Sequence, residues 1–317
     1  MARSLPRCLC AHLPSTAGLF CSAVGAPAGV VTAQGRITTD RASISCDVCV
    51  IGAGPAGASL ALRMAQLGYA VCVVERETFP RHRVGESLPP SILPVLDTLG
   101  LRAAVEAAGF LRPRGAIVQW AGSAATREYG EGVEGFQVDR AGFDALILKA
   151  AQEAGAQLVQ PAKARRPERV GALWHVPLKA HAQTREIRAR FLVDAAGKHS
   201  ALRPKSRPTS QPTTALYAYW RRPQGIGPET RVEAGADMWF WGAPLPDGTF
   251  NAAVFLDTDR CAGVDRDQRM QIYVRSIGQS ELLSAYLSGG PLGPLRVCDA
   301  GSYILVDTQG VWNKPDG

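Results

Sequence analysis

The sequence lacks an uninterrupted apolar run of the length that a membrane-spanning helix needs. The stretch from Cys8 to Gly35 carries no Asp, Glu, Lys or Arg, but Pro14, Pro27 and several glycines interrupt it, which argues against a spanning helix. The basic residues are not interleaved with aromatic ones, so nothing favours nucleic acid as a ligand. With 46% hydrophobic and 20% charged residues, the composition excludes disorder and predicts a soluble globular protein without membrane or nucleic-acid partners.

The chain also lacks the dense cysteine spacing of a disulfide framework, because its eight cysteines are scattered over 317 residues. Cys46 and Cys49 form a C-x-x-C, but they lie on an apolar run where residues three apart point to opposite faces of a strand. We therefore expect reduced core thiols, a reducing compartment and no metal site. A redox pair or a metal site is the alternative for this C-x-x-C.

Residues 1–45 differ in composition from the rest of the chain. They hold four arginines and one aspartate, which is +3 of the formal charge of +7. An acid-poor leader with arginines is typical of a transit or signal peptide, and an extension upstream of the true start fits equally well. We predict that this segment is disordered and lies outside the fold. The expected location is the cytoplasm, with the role of the leader left open.

Two clusters of basic residues stand out in the remaining sequence. They are K-A-R-R-P-E-R at residues 163–169 and R-P-K-S-R at residues 203–207. A run of like charge usually forms a solvated surface, so we interpret both clusters as exposed loops. A specific site for a polyanion is the alternative.

The stretch from Cys46 to Glu75 has the pattern of a βαβ unit. A short β-branched run, Cys46–Ile51, leads into the glycine turn Gly52–Gly57. The amphipathic segment 56–67 predicts a helix, and the apolar segment 70–74 predicts a second strand. This order is typical of the Rossmann-type unit that binds a dinucleotide.

Each glycine of this turn has a physical task. The first allows the tight turn, the second lets the backbone approach a pyrophosphate, and the third allows helix and strand to pack closely. The phosphates then lie at the helix N-terminus, where free N–H groups favour negative charge. Glu75 follows about 20 residues later, where it can accept hydrogen bonds from a ribose of NAD or FAD. The predicted cofactor-binding residues of this unit are Gly52, Gly54, Pro55, Ala56, Gly57, Glu75 and Arg76.

Residues 79–90, F-P-R-H-R-V-G-E-S-L-P-P, resemble the R-x-x-V-G-E-S-L-x-P segment of the flavin-dependent monooxygenase and halogenase family. That segment lies beside the flavin in the family, so the resemblance implies FAD as the cofactor. Arg83 is suited to neutralise the pyrophosphate, and Gly85 permits a backbone close to the isoalloxazine ring. Glu86 and Ser87 complete the implied flavin contacts, and Glu86 is also a candidate catalytic residue. A surface loop of turn residues is the alternative.

Two further stretches follow in the order of the family. Residues 136–144 resemble a V-D-R-x-x-F-D helix near the adenine end of the cofactor, which implies FAD contacts for Gln137 and Arg140. A purely structural helix, with Asp139 as its N-cap, is the alternative. Residues 191–200 resemble the D-[AG]-x-G-x-x-S motif of glutathione-reductase-type flavoproteins, which implies that Asp194 and Gly197 lie near the diphosphate.

The resemblance implies an α/β fold: a Rossmann-like FAD-binding domain of the glutathione-reductase type, with a mixed, mostly antiparallel substrate-side sheet. We assign residues 46–203 to a discontinuous FAD-binding domain that lacks its C-terminal part, and residues 204–317 to part of the sheet domain. Apolar and aromatic runs between proline and glycine turns predict strands, and a longer run predicts a helix. The predicted strands are 174–181, 187–193, 216–221, 238–243 and 249–257, and the predicted helix is 266–287.

Trp239, Trp241 and Pro244 match a W-x-W-x-x-P element that resembles one found in flavin-dependent halogenases, although Ala243 stands where those proteins usually have isoleucine. Two tryptophans two residues apart point to the same side of a strand. They either line a pocket over the flavin, which makes both candidate catalytic residues, or fill the core.

The resemblance implies one of two oxygen-dependent reactions. Both start from reduced flavin and dioxygen, which form a C4a-hydroperoxide in a site that excludes water. Reduced flavin or NAD(P)H is the expected electron source, and a flavin reductase is an expected partner. What differs between the two reactions is whether the substrate or a halide ion receives the oxygen.

A missing lysine separates the two reactions. Halogenases of the family relay the halogen through a lysine, in a stretch that residues 109–116 resemble. This sequence has Arg112, Pro113 and Arg114 there, and no lysine occurs before Lys149. Since a guanidinium offers no free amine, we predict a monooxygenase that acts on an aromatic or electron-rich substrate, either a small molecule or peptide-borne. A halogenase is the alternative.

The family's later G-D-x-x-x-x-x-x-P segment, which binds the ribityl chain of the flavin, does not occur in the sequence. The resemblance covers Cys46 to Tyr303, so we expect a C-terminally truncated member of the family. Two further alternatives follow from this. One is a truncated chain that binds flavin without catalysing a reaction, and the other is an FAD- and NAD(P)H-linked reductase without oxygen chemistry.

Overall fold

The computed structural model describes residues 37–39, 43–120, 123–180, 183–199 and 206–305. Of the leader predicted at 1–45, only 37–39 and 43–45 are therefore described, and Ser43 already begins a strand. Within the described ranges, no helix is long and apolar enough to cross a membrane.

The described chain contains 19 strands and five α-helices. In chain order, the strands are β1 (Thr38–Thr39), β2 (Ser43–Ile51), β3 (Val71–Val74), β4 (Ser87–Leu88), β5 (Gly115–Trp120), β6 (Ser123–Glu128), β7 (Phe136–Gln137), β8 (Gln157–Val159), β9 (Lys163–Ala164), β10 (Glu168–Val170), β11 (Leu173–Ala180), β12 (Gln183–Asp194), β13 (Ser206–Pro208), β14 (Thr213–Arg221), β15 (Thr230–Ala234), β16 (Trp239–Pro244), β17 (Thr249–Asp257), β18 (Arg296–Asp299) and β19 (Tyr303–Leu305). The helices are α1 (Pro55–Gln66), α2 (Leu93–Leu99), α3 (Arg102–Ala107), α4 (Arg140–Glu153) and α5 (Arg266–Ile277).

The first sheet of the described chain has eight strands, with the order β10-β11-β12-β2-β3-β8 and β1 and β9 beside this path. Strands β12, β2, β3 and β8 are parallel, whereas β9 to β12 form an antiparallel extension. The parallel centre is what the βαβ pattern predicts. Because parallel strands end at the same edge of a sheet, the glycine turn after β2, Glu75 after β3 and Asp194 at the end of β12 lie along one edge.

Helices α1 and α4 pack against one face of this sheet, where Val48, Val50, Ala61, Phe143 and Ile147 belong to one buried cluster. Helix α4 begins as predicted, because the Asp139 carboxylate accepts hydrogen bonds from the amides of Ala141 (3.1 Å) and Gly142 (2.8 Å). It ends before Gly155, which has a φ of +102° and so reverses the chain at little cost.

The buried cysteines lie on the opposite face of the sheet, and one prediction about them is wrong. Cys46, Cys49 and Cys72 are free thiols in the same buried cluster, although the alternation of a regular strand would put Cys46 and Cys49 on opposite faces. The amides of Asp47 and Val48 both donate to the carbonyl oxygen of Ala70 (2.8 and 3.1 Å). Two donors opposite one acceptor indicate a β-bulge, which shifts the alternation between the two cysteines.

The second sheet of the described chain has seven strands in the order β18-β14-β17-β16-β15-β5-β6. The pairings are antiparallel except that of β15 with β5, so the sheet is mixed and mostly antiparallel, as predicted. Strands β5 and β6 come from within the range assigned to the FAD-binding domain. The second sheet therefore draws on both of the assigned domain ranges.

One face of the second sheet is covered by α5 and the segment that follows it. Phe240, Phe250 and Leu216 pack there against Tyr273 and Ile277 of the helix. The predicted helix at 266–287 is too long, because α5 ends at Ile277 and only a short 3-10 turn, Ser284–Tyr286, follows. The predicted start of this helix is confirmed, and a capping box between Asp265 and Gln268 stabilises it.

Candidate functional site

The glycine turn brings β2, α1 and the end of β12 into close backbone contact. Gly52 has a φ of +101°, and a Cβ at this position would lie 2.6 Å from the carbonyl oxygen of Ala195. A Cβ on Gly57 would lie 1.9 Å from the carbonyl oxygen of Gly52. Both positions therefore accept only glycine, as expected where a helix packs tightly on its preceding strand.

Helix α1 opens without a side-chain cap. Its N-cap residue is Gly54, which offers no side chain to accept hydrogen bonds from the first turn, and Pro55 follows at the first helical position. A Cβ on Gly54 would lie 3.4 Å from Nη2 of Arg81. The opening amides of α1 and a guanidinium therefore lie beside the same turn, an arrangement suited to bind an anion.

Glu75 lies at the end of β3 and is buried, with 5% of its surface exposed. Its carboxylate accepts hydrogen bonds from the amides of Ala53 (2.8 Å) and Glu77 (2.9 Å). The predicted ribose-binding acid thus lies against the glycine turn and fixes the turn's backbone. Arg76, which was predicted beside it, instead pairs with Glu77 (3.2 Å) and is largely exposed.

Arg81 was not among the predicted cofactor contacts, although it belongs to the family-like segment. Its side chain is only 9% exposed, and Nη2 lies 3.9 Å from Glu75 and 3.8 Å from Asp144. Its Nε is buried without a hydrogen-bond partner among the described residues. Burial lowers the pKa of Arg81 from its ordinary value, against the opposing effect of Glu75. A buried guanidinium with an unused donor beside a glycine turn is suited to bind an anionic group.

Arg83, the predicted partner of the pyrophosphate, is 38% exposed and pairs with Glu77 and with the carbonyl oxygen of His82. Burial raises the pKa of Glu77, but hydrogen bonds and charges of Arg83 and Arg76 lower it by more. The structure therefore distinguishes two arginines that look equivalent in sequence. Arg81 lies beside the glycine turn, whereas Arg83 lines a cavity farther along the segment.

The bend at Val84–Leu88 connects the first sheet to the second. The buried carboxylate of Glu86 accepts hydrogen bonds from Tyr219 Oη (2.8 Å), Asn251 Nδ2 (3.0 Å) and its neighbour Gly85 N (2.8 Å). Tyr219 and Asn251 are cross-strand neighbours on β14 and β17. Two strands of the second sheet therefore hold the bend through a single carboxylate.

The proton of Tyr219 is firmly held at this junction. Burial first, and then the Glu86 carboxylate, raise the pKa of Tyr219 far above its ordinary value, so the hydroxyl remains a donor to Glu86. The ring of His82 stacks on that of Tyr219 with a centroid distance of 5.5 Å. The His82 ring therefore also belongs to this junction.

Ser87 and Gln137 belong to a closed ring of polar contacts with Thr230. Ser87 Oγ donates to Gln137 Oε1 (2.7 Å), Gln137 Nε2 donates to Thr230 Oγ1 (2.7 Å), and the two hydroxyls lie 2.9 Å apart. Both predicted flavin contacts thus use their side chains to join β4 and β7 to the second sheet.

Arg140, also predicted near FAD, braces the bend from helix α4. It makes a two-fold contact with Asp144 (2.8 and 3.1 Å) and donates to the carbonyl oxygen of Val84 (2.8 Å). A Cβ on Gly85, which has a φ of +109°, would lie 2.9 Å from Arg140 Nη1. The absence of a side chain at Gly85 lets the arginine reach the backbone.

A cavity of about 180 Å³ lies between the bend and the second sheet. His82, Arg83, Glu86 and Arg140 line it from one side, and residues that include Tyr219 and Arg296 line it from the other. The cavity combines aromatic surface with charges of both signs, as binding sites for polar aromatic ligands do.

Trp239 and Trp241 lie on the face of the second sheet that bears Tyr219 and Asn251. Trp241 is the cross-strand neighbour of Ala253, and Trp239 stacks on Phe255 with a centroid distance of 3.5 Å. Both tryptophans are only partly buried and are not part of the cluster under α5. The two tryptophans therefore do not fill the core under α5, and neither of them lines the cavity beside the bend.

Asp194 and Gly197 lie at the edge of the sheet that carries the glycine turn. The carboxylate of Asp194 accepts a hydrogen bond from the amide of Ala196 (3.0 Å), and Gly197 has a φ of +64°. The loop after β12 therefore reaches the turn, as the flavoprotein motif implies. Ser200 of that motif lies outside the described residues.

Comparison with known proteins identifies the cofactor. Residues 45–220 match the family model described as FAD binding domain. The chain belongs to the family of FAD-binding domains. The match extends from β2 through most of β14, and so includes the turn, the bend and Tyr219.

The FAD-binding chain is similar to flavin-dependent halogenases. It is 31% identical over 281 residues to Tryptophan 2-halogenase from Chondromyces crocatus, an alignment that covers 82% of this chain and 53% of the relative. The structure of the myxobacterial chondrochloren halogenase CndH matches with a TM-score of 0.75 and 26% identity, over 82% of this chain and 64% of that one. Resemblance to a halogenase-like flavoprotein family and the predicted fold class are thereby confirmed.

A further solved relative has a different activity. The peptidyl tryptophan dihydroxylase QhpG matches with a TM-score of 0.61 and 27% identity, over 82% of this chain and 56% of that one. The chain spans about half the length of the curated relatives that it matches.

The residues at the turn fit FAD. The uncapped start of α1 and the unpartnered Nε of Arg81 are donors for an anionic diphosphate. The glycines that cannot accept a Cβ give the turn the close backbone packing that a dinucleotide site needs.

Proposed function

We propose that the protein is an FAD-dependent oxidoreductase of the halogenase type, which halogenates an electron-rich aromatic substrate of the indole class. Similarity to Tryptophan 2-halogenase over 281 residues supports this, because a match of that length includes both sheets and not only the dinucleotide-binding unit. The halogenase alternative is thus better supported than the monooxygenase predicted from the sequence.

The proposed position of FAD follows the predicted residues with one change. Gly52, Gly54 and the start of α1 would hold the diphosphate, with Arg81 in place of Arg83 as its cation. Glu75 would bind the ribose, and the bend at Val84–Leu88 would hold the isoalloxazine end. When bound and reduced, FAD supplies the capacity to activate dioxygen. Reduced flavin from a reductase, or NAD(P)H, is the proposed source of electrons.

The protein's own residues hold the bend and shape the substrate face. Glu86 fixes the bend to the second sheet through Tyr219 and Asn251. Trp239 and Trp241 present aromatic surface on the same face, where a planar substrate stacks against them. Glu86 is therefore assigned a positioning role, and the tryptophans a substrate-contact role.

Oxygen transfer to the substrate is a second candidate, because one observation favours it. The guanidinium of Arg112 lies over the ring of Phe136 (4.4 Å) and pairs with Glu134 (3.2 Å), and the side chain of Arg114 is 79% exposed. Neither arginine supplies a free amine. No lysine among the described residues lines the cavity beside the bend. The similarity to a peptidyl tryptophan dihydroxylase is compatible with oxygen transfer to a peptide-borne indole.

The test uses the complete protein with FAD, NADH, a flavin reductase, dioxygen and bromide. Free tryptophan and a tryptophan-containing peptide are supplied in parallel, and products are analysed by mass spectrometry. Halogenation predicts a product with the isotope doublet of bromine that disappears when bromide is omitted. A product that gains only oxygen, with or without bromide, establishes the second candidate. Reduced flavin consumed without any modified product contradicts both.

A further inference from the structure

The excess positive charge of the chain is concentrated in one part of the first sheet. Residues 163–190 contain eight Lys or Arg and two Glu, a formal charge of +6, whereas the rest of the chain has 27 Lys or Arg and 26 Asp or Glu. This segment is the antiparallel extension formed by β9 to β12. Residues 1–45 carry a further +3 and the remaining residues together carry −2, so outside the leader the excess positive charge belongs to this one structural feature.

Four cations lie next to one another at one end of this extension. Lys163 on β9 is the direct cross-strand neighbour of Lys179 on β11, and Arg165 is held beside Pro177 through its backbone amide (2.8 Å). Arg166 follows directly in sequence. Lys163, Arg165, Arg166 and Lys179 are all exposed, and we name these four residues the basic meander patch.

The charges of the patch are not neutralised within the described part of the protein. Farther along the extension, Arg188 pairs with Glu186 (2.8 Å) and Arg190 pairs with Asp47 (3.3 Å). The four patch side chains make no ion pair and no side-chain hydrogen bond with any described residue. Like charges placed directly opposite each other on neighbouring strands destabilise a sheet. The arrangement therefore costs folding stability, which an external anionic partner would offset.

The patch borders the edge that carries the predicted cofactor site. The amide of Ala162, the residue before Lys163, donates to the carbonyl oxygen of Glu75 (2.7 Å), and the carboxylate of Glu75 accepts a hydrogen bond from the amide of Ala53 in the glycine turn (2.8 Å). FAD content is therefore the control that distinguishes loss of the cofactor from loss of a partner.

We propose that the basic meander patch is a docking surface for an acidic protein. Charge complementarity identifies the partner's chemistry, because four unpaired cations on adjacent strands match a carboxylate-rich surface. Single-stranded nucleic acid is disfavoured because the cross-strand neighbours of the patch are Pro177, Thr184 and the patch itself, with no aromatic ring for stacking. A membrane is disfavoured because the exposed Val170 and Leu173 lie at the opposite end of β11, about 20 Å from Lys179.

The test compares two variants that lose the same number of charges. The patch variant is Lys163→Gln/Arg165→Gln/Arg166→Gln/Lys179→Gln. The control variant neutralises four exposed cations elsewhere, Arg63→Gln/Lys149→Gln/Arg266→Gln/Arg275→Gln. A fluorescein-labelled glutamate-rich peptide, duplex DNA and vesicles with phosphatidylglycerol serve as probes at low and physiological ionic strength. FAD content is measured for each protein, and both variants are expected to retain it.

The proposal predicts that the peptide binds the patch variant about tenfold or more weakly than the wild type, while the control variant binds it like the wild type. Carbodiimide coupling, which joins carboxylates to amines, is expected to attach the peptide to Lys163 and Lys179 rather than to Lys149. If both variants lose peptide affinity equally, the net charge of the protein and not the patch determines binding, and the proposal is overturned. Tighter patch-dependent binding of DNA or of vesicles would overturn it in favour of a different partner.

Discussion

Glu86, in the bend after the dinucleotide-binding unit, accepts a hydrogen bond of 2.8 Å from the hydroxyl of Tyr219, which is 133 residues later in the chain. Asn251 donates to the same oxygen (3.0 Å). These contacts connect the FAD-binding part of the molecule to the sheet that carries Trp239 and Trp241.

The first prediction concerns this connection. Glu86→Ala leaves three donors without their acceptor and is expected to lower the free energy of unfolding by about 3 kcal/mol, against about 1 kcal/mol for Tyr219→Phe. Urea denaturation measures both. The double variant should lose less than the sum of the two, because both changes remove the same hydrogen bond. Strictly additive losses would mean that the two side chains do not interact.

The second prediction separates the two roles of the glycine turn. Gly57→Ala places a Cβ 1.9 Å from the carbonyl oxygen of Gly52, so it should lower the stability by about 1–3 kcal/mol and abolish FAD binding. Gly54→Ala is the matched variant, because its extended backbone accepts alanine and its Cβ meets only Arg81 at 3.4 Å. It should fold with nearly unchanged stability and bind FAD about tenfold more weakly, because the methyl group obstructs the diphosphate. Stability and FAD binding that change in parallel in both variants would argue against a phosphate site.

The third prediction ranks two arginines. Arg81→Met should weaken FAD binding about tenfold or more, because a buried guanidinium beside the turn is lost. Arg83→Met should have a smaller effect, since its side chain is more exposed and pairs with Glu77. Fluorescence titration with FAD measures both affinities. The reverse order would restore Arg83 as the residue that faces the diphosphate.

The fourth prediction concerns the buried thiols. Burial raises the pKa of Cys46 to about 12, and it also raises the pKa values of Cys49 and Cys72 well above their ordinary value. The three thiols should therefore resist iodoacetamide in the folded protein at pH 8 and react after unfolding. Peptide mass spectrometry identifies the labelled residues. Rapid labelling of Cys46 and Cys49 in the folded state would revive the redox-pair alternative.

The same pKa values predict how stability changes with pH. Each thiol ionises in the unfolded chain near the ordinary value of 9.0 but remains protonated in the folded one. The unfolded state therefore loses protons first as the pH rises. The contribution of these thiols to the free energy of unfolding is therefore fully present below pH 9 and decreases above pH 9. Replacing the three cysteines with alanine should remove this part of the alkaline decrease in urea denaturation, and an unchanged pH dependence would exclude them as its cause.

Local patterns in the sequence predicted the elements that local interactions determine. The βαβ unit, the N-cap at Asp139 and the chain reversal at Gly155 depend on residues within a few positions of each other, so a single sequence contains the necessary information. The prediction that Cys46 and Cys49 lie on opposite faces of their strand was wrong for a related reason. The β-bulge between them depends on a contact with Ala70 beside the neighbouring strand, and the local sequence does not show that contact.

Contacts between distant segments could not be predicted from the sequence. Nothing local separates Arg81 from Arg83, and only the positions of Glu75 and Asp144 show which arginine is buried beside the turn. Likewise, Glu86 was a candidate because of its motif, but its partners on β14 and β17 become visible only when the second sheet is formed. The resemblance identified the segments that meet, whereas the fold shows which side chains join them.

FAD retention tests the central claim most directly. Purified complete protein, saturated with FAD and then freed of excess, is denatured by heat, and the released flavin is measured against the protein. We predict a stoichiometric amount of FAD from the wild type and none from Gly57→Ala. A wild-type protein that retains no FAD under these conditions would contradict the assignment of the glycine turn as the cofactor site, and with it the proposed reaction.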